Sequence, residues 1–313
     1  MSFTTEVKKE VAQNILKDCC RKAQLSALIQ LCSTLSINSQ GMIIVIKIGN
    51  AAIAKRILAM LKEDFQIETE LSVIRKMNLK KNNIYQIRIL QNAKQVLDDL
   101  GILTPKGLQK HPAYKLVQKE CCARAYLAGA FMAMGSINAP NKVNYHLEIA
   151  ANEVAHATFI QKLMNRFDLS AKIITRRKQE IIYIKSADKI ADFLRCVAAH
   201  EALMNFEDAR IARDFKNSLT RLDNCDVANE MKSQEAAQKQ IENINVLKEA
   251  QLFELIDKKL FEVAQLRLQH QEASLNELCK EYEQKTGRVI SKSGMKHRFK
   301  KIQDMAFRIT NKE

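Results

Sequence analysis

The chain has 313 residues, a hydrophobic fraction of 47% and a formal net charge of +15 at pH 7. This length suffices for about two domains with cores of their own. No apolar run reaches the ~20 residues that a membrane-spanning helix needs, and the first residues lack the apolar stretch of a signal peptide. We therefore expect a cytoplasmic protein without a membrane partner, and the charge favours a polyanionic partner, most simply nucleic acid.

Eight cysteines occur as two adjacent pairs, Cys19-Cys20 and Cys121-Cys122, and as isolated residues. A large chain without an export signal is not expected to carry a disulfide framework. The adjacent pairs also lack the C-x2-C spacing that is typical of zinc sites, and they do not predict four converging ligands. The sequence therefore predicts reduced, mostly buried thiols, and it predicts neither a metal nor a cofactor.

A long segment of the chain occurs twice. Cys19 aligns with Cys121 at an offset of 102 residues, the difference between the two numbers, and Phe65 aligns with Phe167 at the same offset. Because the alignment continues well past the cysteine pairs, the duplication comprises a whole structural unit.

Each copy begins with a helix and continues with a β-branched apolar segment, 42–48 or 145–150, that predicts a strand. A helix of 3.6-residue periodicity follows, and then two strands joined by a basic loop. The sequence therefore predicts an α+β domain with the order αββαββα twice over, in halves of about 1–110 and 111–220.

Small residues occupy the two opening helices: Ser26, Ala27, Ala128, Gly129 and Ala133. Glycine inside a helix costs about 1 kcal/mol relative to alanine, so Gly129 predicts that two helix backbones approach closely. This order of elements, with such a helix opening each half, resembles the LAGLIDADG homing-endonuclease scaffold. The resemblance implies two helices side by side on a pseudo-two-fold axis and two curved sheets that form a saddle over duplex DNA.

In the LAGLIDADG nucleases the eighth motif position is acidic in each helix, and the two carboxylates hold the divalent metals. The corresponding residues here are Cys32 and Met134. A thiol and a thioether are unsuitable ligands for a hard cation such as Mg²⁺. The sequence therefore predicts a nuclease scaffold without catalytic residues or nuclease activity, and residual catalysis by Glu148 is the remaining alternative.

The loop between the last two strands of each half is basic. Its candidate DNA-backbone contacts are Arg75, Lys76, Lys80 and Lys81 in the first half and Arg176, Arg177 and Lys178 in the second. On the saddle that the resemblance implies, these side chains face phosphates. The alternative is a pair of solvated loops on a basic protein.

The segment 221–250 contains no glycine or proline and predicts a polar helical linker. Three helices are predicted beyond it, in 251–313. Ser274 and Glu277 form a capping box at the start of the second, the chain turns at Gly287, and Ser291 is the expected N-cap of the third.

The last helix is amphipathic and basic, with Met295, Phe299, Ile302 and Ala306 on its apolar face. The candidate DNA-binding residues are Arg288, Ser291, Lys292, Ser293, Lys296, His297, Arg298, Lys300 and Lys301. Such a helix after a short helix and a turn is what a helix-turn-helix recognition element requires. A membrane-binding role is disfavoured because the partner helices need the apolar face.

The chain resembles the WhiA family of bacterial transcriptional regulators along essentially its full length, in the stretches SFTTEVKKE, CCRKAQLSAL, RAYLAGAFMAMGSI, EASLNEL and ISKSGMKHRFKKI. The last part is also similar to region 4 of sigma factors. The resemblance implies a degenerate LAGLIDADG-like domain in 1–220, the linker in 221–250 and an all-α helix-turn-helix domain in 251–313.

The same resemblance implies a sequence-specific regulator that binds double-stranded DNA at the nucleoid and acts in sporulation, cell division or chromosome segregation. A monomer is expected, with a sigma factor or another transcription regulator as a candidate partner. The alternative is an interaction platform for a sigma factor or division component with only non-specific DNA affinity. A steep salt dependence of DNA binding favours the first hypothesis and a flat one the second.

Overall fold

The two copies of the duplicated segment have the same architecture in the computed structural model, which describes residues 2–38, 41–75 and 83–311. The first copy consists of α2 (Asp18–Cys32), β1 (Ser33–Asn38), β2 (Gly41–Ile48), α3 (Ala51–Phe65), β3 (Glu70–Arg75), β4 (Asn83–Ile89) and α4 (Ala93–Asp99), and helix α1 (Phe3–Gln13) precedes it. The second consists of α5 (Glu120–Met134), β7 (Gly135–Ile137), β8 (Leu147–Ala151), α6 (Val154–Arg166), β9 (Lys172–Arg176), β10 (Gln179–Ile184) and α7 (Ala187–Cys196). The predicted order αββαββα is confirmed in both halves.

A short hairpin, β5 (Leu103–Thr104) and β6 (Gly107–Leu108), and a 3-10 helix (Tyr114–Val117) connect the copies. The chain divides into two compact units, unit 1 (Met1–Arg213) and unit 2 (Asp214–Glu313). None of the helices in the described ranges combines the length and the apolar character needed to cross a membrane.

Each copy contributes one antiparallel four-stranded sheet, and the two sheets have equivalent strand orders, β1-β2-β4-β3 and β7-β8-β10-β9. Alternate side chains of a strand point to opposite faces. In the first sheet Ile44 and Ile46 are buried, whereas Lys47 is exposed. Each sheet therefore covers the core with one face and leaves the other face more polar.

Helices α2 and α5 pack against each other at the centre of unit 1, where Ser26, Ala27 and Ala128 are buried. A Cβ atom placed on Gly129 would lie 2.5 Å from the carbonyl oxygen of Gln24 and 3.0 Å from the Cβ of Ala27. Real Cβ atoms do not approach a backbone oxygen so closely, so only glycine fits here. The predicted close approach of the two helix backbones is confirmed.

A chain of hydrogen bonds crosses the core of unit 1. The Nε2 atom of buried His156 lies 2.7 Å from the Tyr126 hydroxyl. That hydroxyl donates to the Gln30 side chain at 3.0 Å, and Gln30 in turn donates to the Gln109 carbonyl at 3.4 Å. Because the Tyr126 proton is used toward Gln30, His156 is the donor to Tyr126 and is neutral with hydrogen on Nε2.

Unit 1 is expected to lose stability in mild acid because of His156. Burial lowers the pKa of His156 from 6.5 to about 4, so between these values the unfolded chain binds a proton that the folded protein does not. The free energy of unfolding should therefore fall by about 3 kcal/mol as the pH falls through this window. Urea unfolding at several pH values checks it. The dependence of the free energy of unfolding on pH should weaken in His156→Gln. It should persist when exposed His200 is replaced by glutamine. A pH dependence of His156→Gln equal to that of the wild type would contradict the assignment.

Helix α8 (His200–Glu249) begins in unit 1 and ends in unit 2. The predicted linker 221–250 lies almost entirely within it. A 3-10 helix (Phe253–Leu255) follows, and then α9 (Lys258–Gln269), α10 (Leu275–Thr286) and α11 (Lys292–Thr310). Their common core contains Leu260, Val263, Leu278, Tyr282, Met295, Phe299 and Ile302, together with Ile244 and Leu247 of α8.

A buried arginine connects several elements of unit 2. Arg267 is 1% exposed, and its Nε donates to the Gln240 side chain of α8 at 3.0 Å. Its terminal nitrogen donates to the carbonyl oxygens of His270 and Ala273, and its guanidinium lies 5.6 Å from the centre of the Phe299 ring of α11. Arg267 thus joins α8, the α9–α10 loop and α11 through one side chain.

Candidate nucleic-acid interface

Helix α11 is held at its start by the predicted cap. The Ser291 hydroxyl accepts a hydrogen bond from the Gly294 backbone N–H at 3.1 Å. The preceding helix α10 begins with the predicted capping box between Ser274 and Glu277. It ends at Gly287, whose φ of 68° is left-handed and favours glycine. These local signals place the turn between α10 and α11 and fix where α11 begins.

The two faces of α11 have opposite character. Met295, Phe299, Ile302 and Ala306 are buried against the other helices of unit 2. The residues on the other side are exposed: Lys292, Ser293, Lys296, His297, Lys300 and Lys301. Because the apolar face is already used for packing, α11 presents a cationic surface on a rigid support.

The remaining candidates around α11 differ in their surroundings. Arg288 is exposed just after the turn. The guanidinium of Arg298 lies 5.0 Å from the centre of the Tyr282 ring, and the side chain is partly buried. It also donates to the Lys259 carbonyl at 3.5 Å. Arg298 therefore packs between helices, which was not predicted from the sequence, whereas Ser291 forms the predicted N-cap.

A groove of about 440 Å³ runs between α8 and the exposed face of α11. Lys239 and Asn243 of α8 line it together with Lys296, His297 and Lys300 of α11. Lys239 is not among the residues predicted from the sequence. Its only signal was its place on a polar helix, since the pairing of α8 with α11 is a tertiary feature. This groove extends the basic surface beyond α11.

Arg75 at the end of β3 and Arg176 at the end of β9 occupy equivalent places in the two sheets. Arg176 ends β9, and Arg177 and Lys178 form a two-residue turn with φ values of 50° and 63°. Positive φ at both positions is typical of a type I′ hairpin turn. These three residues are exposed, as is Arg75 at the end of β3. The other three candidates, Lys76, Lys80 and Lys81, lie outside the described residues.

The degenerate acid positions lie at the C-terminal ends of the central helices, where Cys32 ends α2 and Met134 ends α5. Burial raises the pKa of the Cys32 thiol to about 12, with a smaller opposing effect from the charge of Lys8. Burial likewise lowers the pKa of Lys8 to about 8. A partly buried lysine beside a neutral thiol repels a divalent cation instead of holding one.

A cavity of about 390 Å³ near the C-terminal ends of α2 and α5 is likewise unsuited to a divalent cation. Lys8, Lys9 and Met132 line it, and none of its lining residues, all within the described ranges, is acidic. The remaining carboxylate candidate, Glu148 on β8, accepts a hydrogen bond from Ser136 at 3.1 Å and lies 3.0 Å from His146 Nε2. Its oxygens are therefore already engaged by neighbouring side chains.

The expectation that the two cysteine pairs do not converge was wrong. The Sγ atoms of Cys19, Cys20, Cys121 and Cys122 all lie within 4.8 Å of one another. The pairs open α2 and α5, and these helices lie side by side, so cysteines 102 residues apart meet. A spacing rule that considers one short segment at a time does not detect such a convergence.

Three domain models describe nearly the whole chain. Residues 18–103 match the WhiA N-terminal LAGLIDADG-like domain, 123–216 the WhiA LAGLIDADG-like domain and 219–306 the WhiA C-terminal HTH domain. The chain belongs to the WhiA family. It is 44% identical over 307 residues to the probable cell division protein WhiA of Bacillus cytotoxicus, covering 98% of this chain and 96% of that protein. The WhiA protein of Bacillus cereus is 45% identical over the same length.

Solved WhiA structures have the same fold. The full-length DUF199/WhiA from Thermatoga maritima matches with a TM-score of 0.57 at 22% identity, covering 98% of this chain and 99% of that one. The N-terminal LAGLIDADG domain of DUF199/WhiA matches with a TM-score of 0.50 at 22% identity, covering 63% of this chain and 90% of that one. Within the WhiA C-terminal HTH match lie α9, α10 and most of α11, and with them the exposed basic surface.

Proposed function

We propose that this protein binds duplex DNA sequence-selectively through α11 and regulates transcription without cleaving DNA. The observation that carries the proposal is the exposed cationic face of α11 on a buried apolar back. In a helix-turn-helix, residues near the start of the second helix reach base edges in the major groove. Ser293, Lys296 and His297 have this position, while Lys300, Lys301 and Arg288 are placed to neutralise flanking phosphates.

Unit 1 supplies a second, weaker DNA-binding surface in this proposal. Its exposed basic residues Arg75, Arg176, Arg177 and Lys178 lie at equivalent corners of two related sheets. Such residues contribute sequence-independent affinity through phosphate contacts. Lys76, Lys80 and Lys81 follow Arg75 in the sequence and are assigned to this role from the sequence alone.

The absence of cleavage follows from the chemistry of the degenerate end. DNA hydrolysis in a two-metal site needs carboxylates to hold the ions. Cys32, Met134 and the nearby Lys8 provide a neutral thiol, a thioether and a cation. The scaffold therefore keeps the geometry of a nuclease while its reacting centre is replaced.

The proposed cellular role is regulation linked to cell division, chromosome segregation or sporulation, exerted at the nucleoid in the cytoplasm. Its support is the name of the relatives, probable cell division protein WhiA, at 44% and 45% identity. The domain boundaries proposed with it are 1–220, 221–250 and 251–313, with the protein acting as a monomer.

An interaction platform is the second candidate, with a sigma factor or division component as partner. The observation that favours it is an exposed apolar row on α8, where Phe215, Leu219 and Leu222 are 66%, 46% and 62% exposed. Their spacing of four and three residues places them on one face of the helix. Such a row is typical of a helix that packs against another protein.

Fluorescence anisotropy with full-length protein tests the proposal, using a genomic promoter-fragment library against a shuffled fragment over a series of salt concentrations. Selected fragments should bind at least about 1,000-fold more tightly than the shuffled one. Affinity should fall steeply with salt, and Mg²⁺ should leave the DNA uncut. Equal affinities with a flat salt dependence would favour the interaction platform.

A further inference from the structure

The cysteine cluster of unit 1 has the composition of a metal site. Cys19 and Cys20 lie in the first turn of α2, and Cys121 and Cys122 lie in the first turn of α5. Their four Sγ atoms lie within 4.8 Å of one another, and the Sγ atoms of Cys19 and Cys20 are 3.9 Å apart. Four thiols at such distances either repel as thiolates, share protons, form disulfides or hold a metal ion.

The cluster is built symmetrically by the sequence duplication. Each cysteine pair follows a lysine N-cap and an acidic residue, Lys17-Asp18 in one copy and Lys119-Glu120 in the other. The duplicated segment therefore delivers the same two sulfur atoms from each copy to a common point. Two equivalent pairs that meet between two packed helices supply four ligands of one kind without any contribution from a loop.

We propose that Cys19, Cys20, Cys121 and Cys122 together bind one zinc ion that joins α2 to α5. In a tetrahedral site with zinc–sulfur distances of ~2.3 Å, the sulfur atoms lie ~3.8 Å apart. The observed 3.9 Å between Cys19 and Cys20 already has this length. The wider separations, up to 4.8 Å, require shifts of only ~1 Å to reach it.

Zinc binds cysteine as the thiolate, so the metal displaces the thiol protons of the cluster when it binds. The N-terminal ends of α2 and α5 carry positive partial charge and stabilise the thiolates.

The cluster is accessible to an incoming ion. A cavity of about 570 Å³ in unit 1 is lined by Cys20 and Cys121 and by the basic residues Lys17, Arg124 and Arg195. Cys121 is exposed. A zinc ion with four thiolates has a net charge of −2, and Lys17 is the lining cation that faces it, since Arg124 pairs with Glu120 and Arg195 with Asp192.

Zinc fits the cluster better than other cofactors do. Hard cations prefer oxygen ligands, and the cluster offers only sulfur. An iron–sulfur cluster needs room for several iron and sulfide atoms between its thiolates, and sulfur atoms within 4.8 Å of one another leave room for a single ion. Two disulfides between the helices would also use all four sulfurs, and they differ from the zinc site in needing an oxidant.

The zinc site lies at the opposite end of the central helices from the degenerate acid positions. Cys19 and Cys121 open helices of 15 residues each that end at Cys32 and Met134. Such helices are ~22 Å long. The ion therefore stabilises the junction of the two halves from the end remote from the lost nuclease centre, which is a structural role.

The test is the metal content of full-length protein purified anaerobically without chelators. Mass spectrometry of dialysed wild type should find one zinc per chain, and a mercurial reagent that blocks thiols should release it. Co²⁺ in its place should give the visible bands of tetrahedral thiolate coordination. The Cys121→Ser variant should lose the ion, whereas Cys225→Ser, which removes an exposed cysteine of α8, should keep it.

A second measurement distinguishes a folding defect from the loss of a metal-binding cysteine. Chelation should lower the Tm of the wild type and leave that of Cys121→Ser unchanged, with identical circular dichroism for both proteins at low temperature. The proposal is overturned if wild type supplied with Zn²⁺ or Co²⁺ binds neither, or if Cys121→Ser retains the ion. Recovery of a Cys20–Cys121 or Cys19–Cys122 disulfide from anaerobically purified protein also overturns it.

Discussion

The Gly129→Ala variant is expected to lower the free energy of unfolding of unit 1 by about 2 kcal/mol or more. The new Cβ would lie 2.5 Å from the Gln24 carbonyl oxygen and 3.0 Å from the Cβ of Ala27. The obstacle at Gln24 is backbone, so a side-chain rotation cannot relieve it, and α2 and α5 must move apart. The gain in helix propensity from glycine to alanine, about 1 kcal/mol, offsets only part of this cost.

Gly49→Ala is the matched control, because a Cβ on Gly49 meets nothing within 4 Å. Its effect should stay within about 0.5 kcal/mol. Hydrogen exchange of peptides from α2 and α5, measured by mass spectrometry, separates this local effect from unit 2. Faster exchange in Gly129→Ala confined to unit 1 is the expected result. If both variants exchange hydrogen as slowly as the wild type, α2 and α5 lie farther apart at Gly129 than the structure shows.

The fold was predictable where its signals are local or repeated. The duplication at offset 102 predicted one order of elements for both halves, and sheets of equivalent strand order confirm it. The capping box of Ser274 and Glu277 and the N-cap at Ser291 involve residues three apart, so the sequence alone indicates where α10 and α11 begin. The small residues around Gly129 predicted a close helix contact because a helical glycine needs a steric reason.

The site was less predictable because its details depend on residues that are distant in the sequence. The sequence predicted Arg298 as a DNA contact on α11, but its guanidinium packs against the Tyr282 ring of α10. Lys8 lies on a helix that the sequence analysis did not identify, and its position beside Cys32 changes the charge of the degenerate end. The four cysteines meet only because α2 and α5 are paired, which no spacing within either segment encodes.

The Lys296→Ala/Lys300→Ala variant is expected to lose sequence-selective DNA binding while it keeps a folded unit 2. Both side chains are exposed on α11 and line its groove with α8, so their removal leaves the core intact. Loss of a base contact costs about 1–3 kcal/mol, and each lost phosphate contact lowers the salt slope by about 1. The variant should therefore bind selected fragments about 100-fold more weakly, with a salt slope smaller by about 1, because Lys300 is the phosphate contact of the pair.

The control for this pair is Lys216→Ala/Lys232→Ala, which removes the same charge from exposed positions of α8 in unit 2. If net charge alone governed binding, both double variants would lose the same affinity for selected and shuffled DNA. If α11 is the reading element, only Lys296→Ala/Lys300→Ala loses the difference between the two. If this variant stays selective, unit 1 recognises the DNA sequence. Arg75 and Arg176–Lys178 would then be the residues to replace. Each double variant removes two positive charges, but only Lys296→Ala/Lys300→Ala changes the surface of α11. The difference between the two variants therefore decides which of the two basic surfaces recognises the DNA sequence.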